Sequence, residues 1–144
     1  MLETVKYLIG SAGPSGFGSK STAEQVTQTC GDLRSITAII TGGTSGIGAE
    51  TARVLAKRGA RVILPARSMK NAEETRGRIV TECPEAEIVV MALDLSSLNS
   101  VTNFVTRFHS LGFPLNLLMY VFHAIVFITY TNIVTHACLS LEFE

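Results

Sequence analysis

Thr41–Gly48, the eight residues TGGTSGIG, decide how the rest of the chain is read. They follow a short apolar run, Ile36–Ile40, and open a segment with helical periodicity. A strand that turns sharply into a helix needs small residues in the turn. The helix then presents unpaired N–H groups and the positive end of its dipole. Both features suit a pyrophosphate, which takes hydrogen bonds from backbone amides at close range. Gly42 allows the turn, and Thr44 and Ser45 add hydroxyl donors. Gly46 and Gly48 permit close approach of a ligand and tight helix–strand packing. A merely flexible loop is the alternative reading, and the strand-to-helix context argues against it.

Outward from this loop, strand and helix signals alternate. In the helix after the glycines, Ile47, Ala52, Leu55 and Ala56 share one face, Lys57 and Arg58 close the last turn, and Gly59 stops it. Val62–Leu64 reads as the next buried strand. Ser68 caps a second helix with an apolar side of Ala72, Ile79, Val80 and Cys83, ended by Pro84. Ile88–Leu93 is a third strand. Ser96 or Ser97 caps a third helix, in which Val101, Phe104, Val105 and Phe108 recur at steps of three and four before Gly112 and Pro114. Leu115–Val121 is a fourth strand candidate. Strands apolar on both faces and joined by amphipathic helices imply a parallel sheet covered on each side. The predicted fold is therefore α/β: the front half, βαβαβαβ, of a Rossmann-like doubly wound parallel sheet over residues 36–121.

Two positions beyond the loop carry further chemistry. At the end of the second strand an acidic side chain would bind the ribose hydroxyls of NAD. Here the chain reads Leu64-Pro65-Ala66-Arg67, and an arginine instead pairs with the 2′-phosphate of NADP. A charge-assisted hydrogen bond contributes about 1.5–3 kcal/mol, a preference of roughly ten- to hundredfold, so NADP(H) is favoured over NAD(H). A solvated loop cation is the alternative for Arg67. Asp94 follows the third strand at the same carboxyl edge, where its carboxylate can accept from an adenine amino group with Leu95 packing nearby. Capping the third helix is a second role for Asp94, compatible with the first.

TGGTSGIG, Arg67 and the Asp94-Leu95 pair together resemble the classical short-chain dehydrogenases/reductases. Within them, STAEQV at 21–26 and the course through PLNLL at 114–118 are similar to the plant chloroplast Tic-type short-chain dehydrogenases. The resemblance implies cofactor contacts at Gly42, Thr44, Ser45, Gly46, Ile47, Gly48, Arg67, Asp94 and Leu95. It also implies hydride transfer between NADP(H) and a carbonyl or alcohol, and a chloroplast location. The departure from the family pattern comes after Leu118. An Asn-Asn-Ala-Gly turn is expected there, and the chain has Met119-Tyr120-Val121-Phe122. The family's serine and Tyr-x-x-x-Lys helix have no counterpart, since no lysine follows Lys70 and neither Tyr120 nor Tyr130 has one four residues on. A tyrosine of unperturbed pKa near ~10 is a poor acid–base group at neutral pH. The expectation is a cofactor-binding front half with no catalytic residues, a truncated product whose last part carries no selected function. A non-catalytic nucleotide-binding or redox-reading module and an unstable by-product are the competing readings.

The bulk composition fits one domain. The chain has 144 residues, of which 47% are hydrophobic, and twelve basic and twelve acidic side chains cancel to net zero. Zero net charge argues against a nucleic-acid partner and removes one safeguard against self-association. Cys30, Cys83 and Cys138 match no disulfide or metal spacing. Residues 1–35 read as a flexible Gly/Ser/Thr-rich segment with a short helix near Ser21–Thr29, capped by Ser21 with Glu24. MLETVKYLIG is too short and too charged for a secretory signal. Residues 122–144 read as an irregular apolar tail. The uncharged stretch 119–141 is long enough for a bilayer, which makes membrane association a candidate role, although His123, Thr131, Asn132 and His136 weaken it. An exposed fourth strand would invite pairing, and Ile125–Thr129 is the best segment to fold back and cover it.

Overall fold

The computed structural model describes residues 12–18, 20–122 and 125–130. The chain divides into two compact units, Met1–Gly31 and Asp32–Glu144. Among its described residues the first contains one short helix, α1 (Ala23–Gln28). Its cap falls one residue later than the sequence suggested. Thr22 accepts from the Gln25 amide and the Gln25 side chain accepts from the Thr22 amide, forming the reciprocal capping pair.

The second unit is a sheet with helices on both faces. Its elements run β1 (Thr37–Thr41), α2 (Gly46–Lys57), β2 (Arg61–Ala66), α3 (Met69–Glu82), β3 (Ile88–Ala92), α4 (Leu98–Ser110), β4 (Leu117–Phe122) and β5 (Ile125–Tyr130). The strand order is β3-β2-β1-β4-β5, and β1 to β4 pair in parallel. This is the front half of the doubly wound sheet, as the alternation of apolar strands and amphipathic helices implies.

The packing explains that alternation. Every residue of β1 and the central four of β2 are buried, so both strands are apolar on both faces. Ala52 and Ala56 of α2 and Ile79 of α3 pack with Ala38, Ile40, Val62, Leu64 and Met119 on one face. Phe104 and Phe108 of α4 pack with Ile39, Ile63 and Met91 on the other. Each fully buried Ile or Leu contributes about 1.5–3 kcal/mol. The alanines of α2 let that helix lie close to the sheet. At the far end of β1, Thr37 N–H donates to Asn116 Oδ1 (2.9 Å) and Asn116 N–H donates to the Thr37 carbonyl (3.1 Å), which sets the start of β4.

Helix ends follow the local signals. Ser68 accepts from the Asn71 amide, Ser97 (not Ser96) caps α4, and Gly59 leaves α2 at φ +92°. Ile47 departs from the expected buried face: it is 55% exposed, and Val54 is buried instead. α2 rests on the loop through Gly48, one residue on, which turns Ile47 away from the sheet.

Beyond β4 the chain turns back. β5 pairs antiparallel with β4, from Phe122 opposite Ile125 to Leu117 opposite Tyr130. The fourth strand thus ends at Phe122, one residue past the expected boundary, and the apolar tail begins with a strand covering it. Among the described residues no helix is long and apolar enough to cross a membrane. The rest of the 119–141 stretch lies outside the described residues, as does Cys138.

Candidate functional site

The β1–α2 loop is built by its glycines. Gly42 has φ +67°, and a Cβ there would stand 2.8 Å from the Val121 carbonyl oxygen. Neither the conformation nor the space suits another residue. A Cβ on Gly43 would meet Leu64 Cδ2 at 2.6 Å, and one on Gly48 would collide with the Gly42 carbonyl oxygen. These two positions hold the loop flat on β2 and under the first turn of α2. Gly46, at φ +52°, has no neighbouring atom within 4 Å of such a Cβ, so the loop is open there.

The amino end of α2 is left available. Ser45 is the N-cap in extended conformation, its side chain makes no capping bond, and the first turn holds no acid. The positive end of the dipole is therefore unopposed. Glu50 sits further along and pairs with Arg53 at 2.7 Å. Beneath the loop, Thr41 Oγ1 is buried with no hydrogen-bond partner among the described residues.

A cleft of about 550 Å³ opens over this loop at the carboxyl edge of the sheet. It is lined by Thr41, Gly42, Thr44 and Ser45 from β1, by Pro65 to Ser68 and Asn71 from β2 and α3, by Leu93 to Ser96 after β3, and by Tyr120 and Val121 of β4. Of the nine residues singled out in the sequence, Gly42, Thr44, Ser45, Arg67, Asp94 and Leu95 meet here. Gly46 and Ile47 follow in the exposed first turn of α2, outside the lining. Gly48 lies buried beneath the loop, where its part is packing.

Electrostatics set Arg67 and Asp94 apart from the surrounding surface. Arg67 is exposed just past β2 and has no carboxylate within 4.0 Å among the described residues. Asp94 Oδ1 accepts from Ser96 Oγ (2.7 Å) and Ser96 N (3.0 Å). These bonds, first the hydroxyl and then the amide, hold its carboxyl below the ordinary range against an opposing effect of burial, with the Arg67 charge adding least. Asp94 therefore braces the turn before α4, and it does so through one oxygen, Oδ1.

Sequence reasoning missed two supports. Thr75 of α3, 2% exposed, donates from Oγ1 to the Thr44 carbonyl oxygen at 3.2 Å and so ties the loop to the next helix. Gly43 is the second. Thr75 stands 31 residues from Thr44, so no local spacing marks it. Among the described residues, a helix end with no side-chain cap, a buried hydroxyl with no hydrogen-bond partner and an arginine in no ion pair surround one cleft and fit a phosphorylated nucleotide.

A family model described as short chain dehydrogenase matches residues 36–121. The chain is 50% identical over 118 residues to "Short-chain dehydrogenase TIC 32 B, chloroplastic" of Brassica napus, covering 82% of this chain and 37% of that protein. It thus spans a little over a third of that relative's length. Among solved structures, a citronellol catabolism dehydrogenase of Pseudomonas aeruginosa is similar at TM-score 0.56 and 33% identity, over 61% of this chain and 36% of that one. A metagenomic short-chain oxidoreductase in complex with NADP is similar at TM-score 0.56 and 32% identity, over 60% and 38% of the two chains.

Proposed function

The chain belongs to the short-chain dehydrogenase family, and from that premise we propose that it is an NADP(H)-binding member which, by itself, binds the cofactor without turning it over. The observation that carries this reading is the cleft in which Arg67, in no ion pair within 4.0 Å among the described residues, lines the same wall as the TGGTSGIG loop. The α2 amides and the Ser45 and Thr44 hydroxyls hold the diphosphate, with the helix dipole favouring its charge. Arg67 pairs with the 2′-phosphate, and no acid at the end of β2 selects a free ribose. Asp94 and Leu95 flank the adenine. Gly46 and Ile47 follow in the first turn of α2, and Gly48 lets that turn pack onto the loop.

When bound, a nicotinamide dinucleotide supplies a hydride donor or acceptor. Using it on a carbonyl also requires a proton donor of suitable pKa. The tyrosine–lysine pair implied by the family resemblance has no counterpart in this sequence, in which Lys70 is the last lysine. The NADP complex of the metagenomic relative supports the cofactor, and the chloroplastic Brassica relative supports a chloroplast location.

Calorimetric titration with NADPH and NADH tests the reading. The expected result is saturable NADPH binding that Arg67→Ala weakens about ten- to hundredfold, with NADH affected far less. Equal losses for both cofactors would remove the role given to Arg67. The same protein incubated with NADPH and a panel of aldehydes and ketones is expected to leave the nicotinamide absorbance falling at the buffer rate.

A further inference from the structure

We infer that Arg78 is a positioning residue for the glycine loop: its guanidinium sets the Thr75 hydroxyl that fixes the Thr44–Ser45 peptide. This role rests on the NADP(H) reading above and belongs to a residue that lines no part of the cleft.

Threonines in these helices share a habit. Thr27, Thr51, Thr81, Thr102 and Thr106 each turn the hydroxyl back to the carbonyl four residues earlier. Thr75 of α3 does not. Its Oγ1 donates across to the Thr44 carbonyl at 3.2 Å and accepts from Arg78 Nη2 at 3.0 Å. A hydroxyl has one proton, and a guanidinium can only donate. With Arg78 donating into the oxygen, that proton is left for a carbonyl. The charged donor also polarises the O–H and strengthens its bond to Thr44. Thr75 is 2% exposed, which leaves little room for water to replace Arg78.

Arg78 takes this contact in place of the acid that helix geometry offers. Glu74 stands four residues before it, the favourable order for an ion pair along a helix. Among the described residues no carboxylate lies within 4.0 Å of Arg78, whereas Arg76 pairs with Glu73 at 2.8 Å. The peptide unit is planar, with its C=O and the following N–H pointing opposite ways. Holding the Thr44 carbonyl toward α3 therefore also fixes the direction of the Ser45 amide, and both residues line the cleft. Amides of this turn are the donors proposed for the diphosphate, so α3 sets their aim before the ligand arrives.

Arg78→Met keeps the apolar stem and removes the donors, and Arg78→Lys keeps a charged donor. In calorimetric titration of the full chain, Arg78→Met is expected to bind NADPH about three- to tenfold more weakly than the wild type, with Arg78→Lys recovering most of the loss. In a Thr75→Val background, Arg78→Met is expected to change the affinity by less than about twofold, because the hydroxyl it acts through is gone. In the ligand-free, ¹³C,¹⁵N-labelled chain, Arg78→Met should move the Thr44 carbonyl and Ser45 amide signals toward their positions in Thr75→Val. Unmoved signals, an unchanged NADPH affinity, or Arg78→Lys binding no better than Arg78→Met would overturn the role. So would a full Arg78→Met loss in the Thr75→Val background, which would mean that the charge acts on the phosphates at a distance. A wild-type chain that binds no NADPH would instead remove the functional reading, and the ligand-free signals would still decide whether Arg78 holds the hydroxyl.

Discussion

Single residues around the loop differ sharply in what they tolerate. Gly48→Ala would drive a methyl group into the Gly42 carbonyl oxygen, against backbone that cannot give way. The expected cost is about 1–3 kcal/mol in a denaturant melt, together with loss of NADPH binding as the first turn of α2 shifts. Gly46→Ala meets no atom, only the strain of φ +52°, so its expected cost is smaller, about 1 kcal/mol. An equal cost at both positions would show that Gly48 is not held against the loop. Asp94 adds a pH signature. The Ser96 bonds lower its pKa in the folded chain, so its contribution is complete above the unfolded value and disappears as pH falls through the folded one. Stability at neutral pH is therefore untouched by its titration, and the loss appears only below about pH 4. Between about pH 5 and 2, the melting temperature of the wild type is expected to fall more steeply than that of Asp94→Asn. Parallel curves would mean the Ser96 bonds do not favour the carboxylate.

At the scale of elements, the local signals were legible and the long-range ties were not. A strand, a glycine turn and a helix lie within a short consecutive run, so TGGTSGIG announces its own geometry. Ser68 and Gly59 likewise mark helix ends through their immediate neighbours. Thr75 gives no such sign, because its hydroxyl matters only once α3 has packed beside the loop. Thr75→Val is expected to lower stability by about 1 kcal/mol by leaving the Thr44 carbonyl without its donor. A fall in NADPH affinity should accompany it, since Thr44 lines the cleft. An unchanged affinity, measured at a temperature where the variant is fully folded, would show that α3 does not position the loop. Ile47 illustrates the opposite error. Periodicity assigned it to the buried face, yet α2 approaches the loop through Gly48 and leaves Ile47 exposed.

For the whole molecule, the parallel strands and their crossover helices bring the residues after β1, β2 and β3 to one edge, and that convergence makes a site. The return of β5 along β4 was foreseeable as the covering of an apolar edge. A second cleft of about 540 Å³, lined by Asp32, Arg34, Lys57, Gly59 and Cys83 among others, lies apart from the loop and serves as an internal control. Amide chemical-shift mapping of the ¹⁵N-labelled chain during an NADPH titration decides whether the glycine loop is the nucleotide site. The largest shifts are expected on Gly42 and Thr44 to Gly48, with Arg67 and Asp94 following on the same binding curve. Shifts centred on Arg34, Gly59 and Cys83, with the glycine loop unmoved, would contradict that assignment.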